Sequence, residues 1–252
     1  MFYVSSQSKI SSQHEGENMF EKVLKDVQAI IDSRNSDFLL FRGHSNNSWQ
    51  LMPSLGRKAF PFHLENILYY DFIARAGILL QEDRAGWSQL FAMRHHGLPT
   101  RLLDWTTTFA IALYFSIREG TGDAAVWVLE PYDLNRMAWG KNELPTPNEL
   151  ESDYYNAFII KKAEFKTQIV TIAPILNSPR MFNQHAVFTL HANLKQPLEN
   201  LYPAVVKKII IPENARKDAE RYLRLTGISE YSLFPDLDGL ARDLIREHNI
   251  IT

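Results

Sequence analysis

Between Asn18 and Arg34 the apolar residues Phe20, Val23, Leu24, Val27, Ile30 and Ile31 recur at helical spacing, which predicts one amphipathic helix. After Asp37 the run Phe38-Leu39-Leu40-Phe41 predicts a short buried strand, ended by Arg42-Gly43. Helical spacing returns with Leu64, Ile67, Leu68 and Phe72, from His63 to about Leu80. A further helix is expected from Gly86 to His95, with Trp87, Leu90 and Phe91 inward and Gly97 and Pro99 stopping it. The cluster Thr106-Thr107-Thr108 reads as a helix start before the strongly apolar, buried helix Phe109 to Ile117.

Strands dominate the second half of the chain. Gly120, Gly122 and Asp123 turn the backbone into Ala124 to Leu129, and further strands are expected at Gln168 to Ile172, Ala186 to Leu190 and Val205 to Ile211. Lys141 to Asn148, with two prolines, is the most loop-like stretch. Helices are expected at Ala215 to Leu225, closed by Gly227, and at Leu240 to Glu247. Helices gather first and strands come later, without regular alternation, so the expected class is α+β with a mixed or antiparallel sheet flanked by helices. The expected organisation is a flexible leader over residues 1–17 and one domain over residues 18–252.

Composition narrows the class of protein. An apolar fraction of 45% and an aromatic fraction of 12% over 252 residues fit a globular chain able to bury a full core. No run approaches the roughly 18 uninterrupted apolar residues of a membrane helix, and the N-terminus lacks the pattern of a secretory signal. The absence of cysteine excludes disulfides, thiolate zinc sites and cysteine nucleophiles, and a cytoplasmic home is the simplest expectation. A net charge of −2 does not indicate nucleic acid as a partner, leaving only a local basic groove for such a contact.

Candidate chemistry lies in three polar clusters that interrupt apolar runs. The first is Phe41-Arg42-Gly43-His44 with Trp49, Pro53, Ser54 and Arg57. An arginine beside glycine offers a fixed fork of donors next to bare backbone, which matches phosphate or carboxylate. The second runs from Arg94 to Thr106 and holds His95, His96, Arg101, Asp104 and Trp105 around a Gly/Pro turn. There Arg101 and Asp104 are positioned to pair with each other, and either histidine could serve as a base, a donor or a structural group. The third is Pro179 to Thr189, where Gln184 and His185 lead into a strand. In the C-terminal Leu233 to Gly239, Asp236 and Asp238 read as caps of the last helix more than as a cation loop. Phosphate-loop, dinucleotide-turn, zinc-helix and nucleophile-elbow motifs are absent, and no histidine has ligand spacing for a metal.

With these segments in hand, the chain resembles the FRG domain family. The resemblance runs through Phe41-Arg42-Gly43, Trp49 to Arg57, His95 to Trp105 (HHGLPTRLLDW) and Ala112 to Phe115. It continues through Pro179-Arg180, Gln184 and Phe188, and ends in Ser232 to Leu240. His44 stands where that family usually has Gln, and Ala186 where it usually has Gly. The family is known mostly from bacteria, prophages and mobile elements; the leading expectation, motivated by the Arg, His, Asp and Trp gathered in turns between apolar runs, is an intracellular effector of toxin or phage-defence type. Arg42-Gly43, Thr106 to Thr108 and Gln184 are also similar to the placement of NAD-contacting groups in ADP-ribosyltransferases. The catalytic glutamate of those enzymes has no clear counterpart near Gln184.

Three readings compete. One is an enzyme binding a nucleotide, with NAD the suspected substrate for glycosyl transfer or hydrolysis. In it Arg42, Gly43, Arg57, Arg101, Trp105 and Thr106 hold the ligand, Trp105 or Trp49 stacks a base, and His95, Asp104 and Gln184 are the catalytic candidates. The second is a binding module for a small ligand, nucleic acid or protein without chemistry. In the third, Arg42, Arg101, Asp104 and Asp236 form a purely structural ion-pair network.

Overall fold

The computed structural model describes residues 18–34, 36, 38–57, 63–77, 79, 86–174, 178–248 and 250. Expectations that fall on the leader 1–17, on Asp37 and on Leu80 lie outside the described residues. Six strands, β1 (Leu40–His44), β2 (Leu102–Thr106), β3 (Ala124–Leu129), β4 (Ile169–Ile172), β5 (Ala186–His191) and β6 (Val206–Ile211), form one sheet in the order β4-β5-β2-β1-β3-β6. Every pairing is antiparallel, so the α+β expectation resolves to an antiparallel sheet.

The helices are α1 (Met19–Asp32), α2 (Ser54–Arg57), α3 (Leu64–Ala76), α4 (Trp87–His95), α5 (Phe109–Ile117) and α6 (Pro131–Trp139). They continue with α7 (Pro179–Asn183), α8 (Leu198–Leu201), α9 (Arg216–Leu225), α10 (Glu230–Leu233) and α11 (Leu237–Glu247). Among the described residues no helix is long and apolar enough to cross a membrane.

Two elements differ from the expectation in a way that matters. The first strand does not end at Arg42-Gly43 but carries both residues inside it. Residues Leu102 to Thr106, read from sequence as part of a polar turn cluster, form a central strand. The charge of Asp104 hides the strand in the sequence; its neighbours Leu102, Leu103 and Trp105 are all buried, as an interior strand covered on both faces requires. β6 at one edge is covered only in part: Val206, Ile209 and Ile211 are buried, Ile210 is exposed, and Lys207 and Lys208 put charge on the exposed edge.

Side-chain alternation sorts the core into layers. On one face of β1, β3 and β6, Phe41, Val126 and Ile209 pack under α1, α5 and α9. The same face of β2, β4 and β5 presents Leu102, Val170, Phe188 and Leu190 to α3 and α4. The opposite face carries Leu40, Leu103, Trp105, Trp127 and Val187, covered by α6 and α8. One face therefore bears two separate helical layers, and they part above β1 and β2.

Candidate functional site

A cleft of about 700 Å³ opens between these two layers. Its floor is β1, β2 and β5, and its walls come from α4, α5 and α7. The sheet itself explains the opening. β1 and β3 share five register pairs, as do β2 and β5, whereas β1 and β2 share one, Phe41 with Thr106. Beyond it the Arg42 guanidinium takes over: Nη1 donates to the Asp104 carbonyl at 2.5 Å, where a ladder bond would otherwise lie.

Asp104 is the acidic centre. Arg94 Nε donates to both carboxylate oxygens, at 2.9 and 3.0 Å, its Nη2 donates to Oδ2 as well, and Arg42 Nη1 lies 3.5 Å from Oδ2. Burial pushes the Asp104 carboxyl up, but the charge and hydrogen bonds of Arg94, with Arg42, outweigh it and hold it at about 2. Burial pulls the Arg42 guanidinium down to about 10, with Asp104 opposing and Arg57 and Arg94 adding to the pull. All of these arginines stay charged at neutral pH.

Arg94 received no role from the sequence, yet a signal was there. On α4 the apolar stripe is Trp87, Leu90 and Phe91, and Arg94 continues it one turn on. A charge on a buried stripe demands a partner. Gly97 at φ +84° then ends the helix, with Gly97 N bonded to Arg94 O and Leu98 N to Met93 O.

Arg180, on α7, also reaches the cleft. Its Nη1 donates to His95 O at 3.3 Å, and its guanidinium carbon sits 4.6 Å from the centre of the Phe234 ring. Arg57, also at the cleft, donates Nε to Met52 O at 2.9 Å. Among the described residues neither Arg57 nor Arg180 has a carboxylate partner. Burial is the first cause lowering both guanidinium pKa values, with repulsion from Arg94 contributing.

The structure brings Arg42, Gly43, Arg57, His95, Asp104, Trp105, Thr106 and Gln184 to this one cleft, and leaves Arg101 out. Arg101 forks onto Glu65 of α3 with two bonds of 2.6 Å, donates to Ala192 O at 3.0 Å and lies 4.4 Å over the Phe158 ring. It does not pair with Asp104: three residues along an extended chain separate the two by roughly 10 Å. The indole of Trp105 cannot stack a ligand base, because it is 3% exposed, packs in the layer beneath the sheet and donates Nε1 to Thr189 Oγ1 at 3.0 Å. Trp49, 49% exposed at the cleft mouth, is free to do so.

Other candidates are engaged locally. A Cβ on Gly43 would lie 2.0 Å from Ala112 O, so its bare backbone serves the approach of α5 and not a ligand. Thr106 is the last residue of β2, and its Oγ1 accepts from Thr108 N at 3.2 Å. Thr108 is the N-cap position of α5 but makes no side-chain cap bond; its hydroxyl meets His185 Nδ1 at 2.9 Å. Gln184 donates Nε2 to Leu233 O at 3.1 Å. His95 has Ser178 Oγ 3.4 Å from Nδ1 and the His96 ring edge-on at 4.9 Å. Burial, then Arg180 and His96, lowers its pKa below the ordinary histidine value.

The C-terminal segment forms the back of one wall. Asp236 caps α11, its Oδ1 accepting from Gly239 N at 2.6 Å. Behind Phe234, the buried Glu230 accepts from Tyr114 OH, from Arg118 Nη2 at 3.0 Å and from Arg242 Nε at 2.9 Å. Among the described residues no group of three or more His, Asp or Glu is placed to hold a metal ion.

No curated protein and no solved structure matches the chain. The family model of the FRG domain matches residues 37–125. That span supplies β1, α4, β2 and α5, and with them Arg42, Arg94 and Asp104; Arg180, Gln184 and Phe234 come from beyond it. The chain contains an FRG domain.

Proposed function

We propose that the cleft binds a phosphate-bearing nucleotide, with NAD the favoured ligand. One observation carries the reading: Arg42, Arg57, Arg94 and Arg180 gather around the carboxylate of Asp104, and with Arg118 they outnumber the cleft's acids, Asp104, Glu119 and Asp236. Such a surplus of buried and half-buried cationic charge is offset when an anion enters. Arg57 and Arg180, with no carboxylate partner among the described residues, take the phosphates; Trp49 at the mouth offers a face for the base.

The similarity to NAD-binding ADP-ribosyltransferases supports an enzymatic version of this reading. Arg42, Thr106 and Gln184 meet in one cleft from neighbouring strands or their ends. In that version His95, neutral at physiological pH, is the group that accepts a proton, and Asp104 is an electrostatic anchor. A binding module without chemistry is favoured by a different observation. The Asp104 carboxylate is occupied by Arg94 and the Gln184 amide nitrogen by Leu233, and among the described residues the floor strands β1, β2 and β5 bring no acid but Asp104 to the cleft. A toxin or phage-defence role rests on the family likeness alone.

Calorimetry with ADP and NAD tests the binding claim, and nicotinamide release tests the chemistry. Arg57→Gln and Arg180→Gln are each expected to weaken binding about tenfold and to flatten its salt dependence, with folding unchanged. Wild-type protein that binds neither nucleotide sinks the proposal; binding without release selects the module.

A further inference from the structure

We infer that Glu119 reads the ribose of the nucleotide, its carboxylate accepting hydrogen bonds from the sugar hydroxyls. This rests on the nucleotide reading and names the part of the ligand recognised between base and phosphates.

Of the acids that line the cleft among the described residues, Asp104 is bound by Arg94 and Asp236 caps α11. Glu119, one residue past the end cap of α5, is the third. Its side chain is 75% exposed, so a ligand atom can reach it. Arg118 Nε lies 3.9 Å from Glu119 Oε1, beyond hydrogen-bond length, and Arg118 gives Nη2 to Glu230 at 3.0 Å. The Glu119 carboxylate thus sits beside a cleft-lining cation without being consumed by it.

The main chain around Glu119 is pinned. Arg216 donates Nη1 to Ile117 O at 3.1 Å, Nε to Gly122 O at 3.0 Å and Nη2 to Ser45 O at 3.5 Å, which ties the end of α5 and the turn after it to the end of β1. Gly120, at φ +78°, runs so close to Ser45 that an added Cβ would lie 3.6 Å from Ser45 O. From Ser45 the chain enters the loop of Trp49, whose N donates to Asn46 O at 3.2 Å. The Phe234 ring meanwhile gathers Arg118 at 5.0 Å and Arg180 at 4.6 Å. Glu119 therefore neighbours both the loop that offers an indole face to the base and the wall that offers guanidinium groups to the phosphates. A nucleotide carries its sugar between those two parts. A carboxylate has no hydrogen to give and repels phosphate, whereas the adjacent hydroxyls of a ribose supply donors for charge-assisted bonds.

Calorimetry with ADP, 2′-deoxy-ADP and pyrophosphate on wild type, Glu119→Gln and Glu119→Ala is the test. Wild type should bind ADP about tenfold more tightly than 2′-deoxy-ADP. That ratio should fall to about one in Glu119→Ala and take an intermediate value in Glu119→Gln, which keeps one acceptor oxygen. The ratio is the readout because losing a negative charge strengthens the binding of any anion, and both nucleotides share that gain. Pyrophosphate, which has no sugar, should bind no more weakly to either variant. Equal binding of ADP and 2′-deoxy-ADP by wild type overturns the inference, as does a ratio that survives in Glu119→Ala. A loss shared alike by both nucleotides overturns it too, because the acid would then serve the base. Pyrophosphate weakened by Glu119→Ala also overturns it, because the acid would then only position Arg118. Wild type that binds pyrophosphate but neither nucleotide removes the inference and the nucleotide reading together and leaves an anion site; wild type that binds none of the three removes the site.

Discussion

Arg94 and Asp104 meet on the cleft floor as a fork, with Arg94 Nε 2.9 Å from Oδ1 and 3.0 Å from Oδ2. The side chain of Asp104 is still 38% exposed and lines a cleft in which arginines outnumber acids. This geometry makes the aspartate a holder of cations. Asp104→Asn is expected to cost about 1–3 kcal/mol of stability, since it leaves Arg42 and Arg94 without their acid. The same variant should bind pyrophosphate at least as tightly as wild type, because a negative charge has left the site. Denaturant unfolding and calorimetry check the two halves; weaker pyrophosphate binding in a folded protein would contradict the anchoring role.

Gly43 is where α5 touches β1. A methyl group there would sit 2.0 Å from Ala112 O and 2.6 Å from Ser116 N, both main-chain atoms that cannot swing away. Gly43→Ala should therefore destabilise by roughly 3 kcal/mol or more through overpacking. A thermal midpoint equal to wild type would show that the helix shifts freely.

Phe234 ties the C-terminal segment to the cleft. Its ring faces Arg118 at 5.0 Å, Arg180 at 4.6 Å and Arg242 at 5.9 Å. Phe234→Ala is expected to cost about 3–5 kcal/mol, and Phe234→Leu less, while both loosen Arg180. The milder variant should lower pyrophosphate affinity, and combining it with Arg180→Gln should add little further. Full additivity in that cycle would mean the ring does not position Arg180.

Acid should unfold the protein through its histidines before its carboxylates. His191, buried by β5 with Arg42 and Arg101 near, has its pKa lowered from 6.5 to about 3, and His44 from 6.5 to about 2. Both depressed values mean that the unfolded chain binds protons first as pH falls below 6.5. Their stabilisation is therefore complete above that pH and is lost progressively toward the folded values. Each contributes about 2 kcal/mol of loss by pH 5. Asp104 adds to the loss only between 3.8 and about 2. Unfolding free energies measured from pH 8 to pH 5 should fall accordingly, and a flat profile would refute the assignment.

Much of the site could be read along the chain because its parts are local. Arg42-Gly43, the stretch from His95 to Asp104 and the segment around Gln184 each interrupt an apolar run, and Arg42, Gly43, His95, Asp104 and Gln184 do line one cleft, though Arg101 does not. Helix α5 and strand β3 were legible because their apolar patterns run almost without a break, and β5 and β6 because β-branched and other apolar residues dominate them. β2 was not, because its one charged residue satisfies itself on a helix close to it in space and invisible in the pattern.

Periodicity and composition by themselves determined that this chain forms an antiparallel-capable α+β core and which short segments carry charge into it. Tertiary packing alone decided how those charges are spent. Arg101, Arg94 and Arg42 look alike in sequence, yet Glu65 takes the first, Asp104 holds the other two, and Arg57 and Arg180 have no carboxylate partner among the described residues. The reason is range: hydrophobic spacing is set by neighbours a few residues away, whereas an ion pair depends on distances of a few ångströms between groups far apart in the chain.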